Sequence, residues 1–125
     1  MADLFLNKKV DLTTTDLTPL YTVPTNTIAI VKSILVSNDD ASNACEITVT
    51  LLNTGNTVFS LFKQKDVSAK TTVELLTHPL ILNEDEQINV QAEFVDDLHV
   101  ILSAKAIDIR VNVLEMPPIG AESGE

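Results

Sequence analysis

The stretch over residues 22–38, TVPTNTIAIVKSILVSN, does most to limit what this chain can fold into. Pro24 fixes φ and has no N–H to give a ladder, so regular pairing starts after it. Of the nine residues from Ile28 to Val36, six are Ile, Val or Leu and five are β-branched. No helix cap precedes them. β-Branching, with Pro, Asn and Asp as flanking punctuation, favours a strand over a buried helix. Only Lys32 and Ser33 interrupt the run, which predicts a central strand covered on both faces for most of its length.

Turn chemistry divides the rest into short strands. Asn38-Asp39-Asp40-Ala41-Ser42-Asn43 is a loop, because Asn, Asp and Ser bond their own backbone. Cys45, Ile47, Val49 and Leu51 then alternate with Glu46, Thr48 and Thr50, a period of two with one wet face. Asn53-Thr54-Gly55-Asn56 makes a hairpin with Gly55 as the left-handed residue, and residues 57–63 return. Residues 66–70 read as a second loop, residues 71–76 as a strand, and Leu80-Ile81-Leu82 as another after the break at Pro79. In residues 87–94 the expected inward set is Ile88, Val90, Ala92 and Phe94. Residues 98–113 point Leu98, Val100, Leu102, Ala104 and Ala106 inward, then change parity to Ile107, Ile109, Val111 and Val113. That predicts a bulge near Ala106, or a strand that leaves one sheet for another surface.

These are seven to nine strands at about ten-residue spacing with no convincing helix. The fold class is all-β: an antiparallel β-sandwich, jelly-roll or immunoglobulin-like, with extended arms at both ends. Residues 1–20 read as an N-terminal arm with a strand near residues 4–12, residues 21–113 as the sandwich, and residues 114–125 as a C-terminal tail.

Charge narrows the partners. Eighteen acidic against eight basic side chains give a net charge of −10, which opposes nucleic acid and anionic membranes. Lys63, Lys65 and Lys70 form a solvated loop face without interleaved aromatics. Met1-Ala2-Asp3 lacks the basic and apolar pattern of a signal peptide, and no apolar run approaches the ~20 residues that span a bilayer. Synthesis and folding in the cytoplasm of whatever cell makes the chain are expected. Cys45, the single cysteine, reads as a small core hydrophobe.

Catalysis finds little support. His78 and His99 are the two candidate bases, and neither lies in a nucleophile motif. One cysteine and two separated histidines do not make a zinc site. The acidic loops at Asp39-Asp40, Glu84-Asp85-Glu86 and Asp96-Asp97 lack EF-hand spacing and read as hairpin turns of an acidic chain. A sugar cleft would need stacking aromatics, yet there is no Trp and one Tyr. No enzyme, cofactor or metal is expected. What exceeds an ordinary globular domain is the apolar content of the ends. Leu4, Phe5 and Leu6 at one end and Met116, Pro117, Pro118 and Ile119 at the other read as assembly arms that add to a neighbouring subunit.

One pattern goes further. Tyr21-Thr22-Val23-Pro24 with the strand through Asn38 is joined by Ala69-Lys70-Thr71-Thr72-Val73-Glu74-Leu75-Leu76, by the run from Pro79 to Ala92, and by Leu98-His99-Val100-Ile101-Leu102-Ser103. Together they resemble small β-sandwich virion structural proteins of tailed bacteriophages, cyanophage-like ones among them. The chain departs in having Thr25-Asn26 where a glycine is frequent, and in running on past Ser103. The resemblance implies a virion component without catalytic residues, present in many copies as a homo-oligomer. Its partners would be other virion proteins, major capsid or neck and tail proteins. A head decoration or cement protein is the leading expectation; a neck, tail or baseplate adaptor and a receptor- or glycan-binding tip are the alternatives.

Overall fold

A computed structural model describes residues 3–109. Nine strands fill it: β1 (Asp3–Asp11), β2 (Thr18–Thr22), β3 (Thr27–Asn38), β4 (Cys45–Leu52), β5 (Val58–Val67), β6 (Thr72–Glu74), β7 (Leu80–Leu82), β8 (Gln87–Ala92) and β9 (Leu98–Asp108). They form two packed antiparallel sheets. One has the order β1-β9-β3-β6, with β7 also on β3; the other is β2-β8-β4-β5.

This order decides between the two sandwich types. β4 pairs with β5, β3 with β6 and β7, β2 with β8, and β1 with β9. The chain is therefore one long hairpin with its tip at residues 53–57, rolled so that successive pairs fall in opposite sheets. That is a jelly roll. β6 and β7 together occupy one strand position, broken where Pro79 has no N–H to give.

The core is aliphatic, as the alternation predicts. Val31, Ile34, Val36, Ile47, Val49, Leu82, Ile88, Val90, Leu98, Val100 and Leu102 are wholly buried between the sheets. Cys45 is buried among them as a free thiol. Burial of such side chains contributes roughly 1.5–3 kcal/mol each, which drives the two sheets together.

Several expectations are corrected. β3 is central, but only one of its faces is sealed, and Ile28, Ile30 and Leu35 remain half-buried on the other. Lys32-Ser33 is no mere interruption: the register to β9 slips between Val31 and Ser33, so Ala29 and Val31 hand the inward role to Ile34 and Val36. Pairing runs without a slip at Ala106; the bulge between these strands lies on β3, and Val111 and Val113 of the expected parity change lie outside the described residues. Along β9 the register to β1 runs unbroken from His99 to Ile107. β5 extends through Val67 into what reads as loop, because slips against β4, with Gln64 at φ 53°, let the pairing continue to Cys45 opposite Val67. Phe94 is exposed, since β8 stops at Ala92. The amide of Asp96 donates to the Leu12 carbonyl, tying the turn that follows to the end of β1. The left-handed residue of the β4–β5 hairpin is Asn56, φ 63°, rather than Gly55.

Candidate functional site

The strand pairing sets cross-strand rows on the outer face of the first sheet. Phe5 of β1 lies opposite Lys105 of β9, Lys105 opposite Ile30 of β3, and Ile30 opposite Ile81 of β7. The next row pairs Ile107 with Ile28. Phe5 is 72% exposed and Ile81 56% exposed, so the face presents aliphatic and aromatic surface to solvent. The Lys105 ammonium lies 5.7 Å from the centre of the Phe5 ring, a cation–π contact across the two strands. Ile101, opposite Leu35, continues the apolar surface further along β9.

A second feature lies between the sheets. β1 and β2 are the edge strands on one side, and among the described residues a groove of about 800 Å³ lies between them. Leu4, Leu6 and Lys8 line one wall and Leu20 and Tyr21 the other. Leu4, Leu6 and Lys8 lie opposite Ala106, Ala104 and Leu102, whose small and branched side chains form the buried face of β9. Tyr21 is 5% exposed, and its hydroxyl is buried without a hydrogen-bond partner among the described residues. Burial raises its pKa above the ordinary phenol value.

One row has the residue types of hydrolytic chemistry: Asp11, His99 and Ser37 are successive cross-strand neighbours. The geometry opposes that use. His99 Nε2 lies 3.3 Å from Asp11 Oδ1, and the Ser37 hydroxyl is hydrogen-bonded to Thr72 at 2.8 Å. His99 and Asp11 stand exposed on an open sheet face.

The acidic loops resolve into local structure. Asp40 accepts from the Ser42 and Asn43 amides at 2.8 and 2.9 Å, and these bonds pull its pKa down. Asp97 is raised by burial, then by Asp40 and Asp96. Glu46 is raised by burial, then by Glu93 and Asp66. Among the described residues no group of three or more His, Cys, Asp or Glu is placed to hold a metal ion, and no helix is long and apolar enough to cross a membrane.

The expected assembly residues divide. Leu4, Phe5 and Leu6 sit within β1, paired along its length to β9 of the same chain. The expected N-terminal arm thus carries an edge strand over its first half. Phe5 faces outward, Leu6 packs against the core, and Leu4, 61% exposed, borders the groove. Met116, Pro117, Pro118 and Ile119 lie outside the described residues. Sequence reasoning did not single out Ile81 or Ile101. Ile101 carried a signal: it is apolar at an outward parity of β9.

No protein-family model matches the chain, and no curated protein matches it. Among solved structures the chain is similar to one in the structure of the infectious bursal disease virus Gt strain. The TM-score is 0.43 at 8% identity, over 85% of this chain and 30% of that one.

Proposed function

We propose that this chain is a non-enzymatic structural subunit of a tailed-phage virion, a small decoration or cement protein of the head. The observation that carries the reading is the outward row Phe5, Ile30 and Ile81, extended by Ile28 and Ile107. These apolar side chains share one outward sheet face around Lys105, and a contact with a neighbouring subunit would bury them. The resemblance over residues 21–103 supplies the virion context. The net charge of −10 suits an outward position better than contact with packaged DNA.

Copy number in the purified particle tests this. Cryo-electron microscopy and quantitative proteomics should find the chain in hundreds of copies on the shell, with the Phe5–Ile81 face against a neighbour. A dozen copies or fewer would move it to the neck or tail. Absence from purified particles would overturn the reading.

A further inference from the structure

We infer that copies of this chain join head to tail, the Phe94-Val95 turn of one copy seated on the outer face of the first sheet of the next. The inference rests on reading that face as a subunit contact, as the proposed function does, and names its occupant.

The two surfaces match in character. Between β8 and β9 the chain turns with Phe94 48% and Val95 51% exposed, an apolar knob that its own core leaves uncovered. Carboxylates ring it. Asp96 and Asp97 follow directly, and the Asp39 amide donates to the Asp97 carbonyl at 2.8 Å, which sets the Asp39-Asp40 loop alongside. The outer face reverses this pattern. Phe5, Ile30 and Ile81 form its apolar row, with Lys105 between Phe5 and Ile30. Lys32 is exposed at the β3 bulge, and Lys9 is exposed opposite Ile101. Asp11 on the same face is engaged with His99, and Glu74 with Ser33 and Ile34. A chain of net charge −10 thus presents, on this face, apolar surface amid lysines.

Neither surface suits itself. Face against face brings lysines together, knob against knob brings carboxylates together, and like charges juxtaposed across a contact cost affinity. Knob against face pairs apolar with apolar and lysine with carboxylate. Nor can a copy satisfy its own face. The knob precedes Leu98, whereas the Phe5 row crosses β9 at Lys105, seven residues or roughly 24 Å further along at about 3.4 Å per residue. A pair of copies therefore keeps one unused knob and one unused face. The contact is heterologous: repeated, it closes a ring or runs on as a filament.

The test follows the full-length chain by sedimentation velocity. At ~50 mM salt the mass should climb with concentration beyond that of two copies, and ~1 M salt should weaken association about tenfold by screening. Phe94→Ser with Val95→Ser disables the knob, and Phe5→Ser with Ile81→Ser disables the face. All four residues are exposed, so the fold stands. Each double variant alone should stay a single chain. Mixed, the two should form pairs that grow no further, since one intact knob meets one intact face. Asp96→Lys in the otherwise unaltered chain should weaken association about tenfold. A chain that stays single at ~1 mM, pairs that survive loss of the knob, or mixed variants that remain apart would overturn the inference. Particle copy number tests the proposed function separately: a chain abundant on particles but single in solution overturns the head-to-tail contact alone.

Discussion

The Glu74 carboxylate closes the gap that the β3 bulge opens opposite Ser33. It accepts from the Ser33 hydroxyl and, at 2.8 Å, from the Ile34 amide, while the Ile34 carbonyl accepts from the Leu75 amide at 2.9 Å. A side chain thus stands in for a missing ladder contact and joins β3 to β6 where the inward parity changes. Burial pushes the Glu74 pKa up, but its hydrogen bonds from Ser33, Ile34 and Leu76 outweigh that and hold it below the ordinary value.

Folding stability should therefore depend on this carboxylate in acid. A carboxyl with a lowered folded pKa binds fewer protons folded than unfolded. Its contribution is complete above the unfolded value of about 4.3 and is lost as pH falls through the folded one. Glu74→Gln should cost about 1 kcal/mol at pH 7 and flatten the fall in stability below pH ~4.5, read by urea denaturation across pH.

Asn38 should be the least replaceable polar residue. Only 3% exposed, it donates to the Asn43 and Val67 carbonyls at 3.0 and 2.9 Å and accepts from the Asp40 amide at 2.9 Å. One side chain thereby joins β3, the following loop and the end of β5. Asn38→Ala should lower stability by roughly 2–3 kcal/mol, measured by chemical denaturation, because it strands buried backbone groups.

The hairpin tip should respond in the order of its backbone angles. Asn56 holds a positive φ, so Asn56→Gly should leave stability unchanged or raise it by under ~1 kcal/mol. Gly55→Ala should also be tolerated, since the added Cβ meets Asn53 Oδ1 at an ordinary 3.5 Å. A loss above ~1 kcal/mol from Gly55→Ala in thermal unfolding would mean Gly55 carries the turn after all.

Core and surface should separate cleanly. Val90 is wholly buried, so Val90→Asp should abolish folding of the isolated protein by circular dichroism, an unpaired buried charge costing several kcal/mol. Phe5→Ser removes an exposed ring and should shift stability by under ~1 kcal/mol while reducing incorporation into particles. Unimpaired incorporation would disconnect the outer face from assembly.

Period-two patterning made much of this architecture legible. Cys45, Ile47 and Val49, then Ile88, Val90 and Ala92, then Leu98 through Ala106 point inward as their alternation requires, because burying one face of a strand fixes its parity. The candidate surface was legible only in part. Phe5 stood out as apolar beyond any need of the core, but Ile81 and Ile101 become a surface only when pairing sets them beside Ile30 and Leu35.

Local chemistry, then, dictated an aliphatic, acidic chain of short strands separated by turns, since β-branching and turn propensity act over a few residues. Long-range pairing settled the rest. Which strand adjoins which made the jelly roll, put a bulge at Lys32-Ser33, and set a groove between β1 and β2 among the described residues. Those outcomes depend on contacts between residues as far apart as Ser33 and Glu74 or Leu4 and Ala106, and no local propensity encodes them.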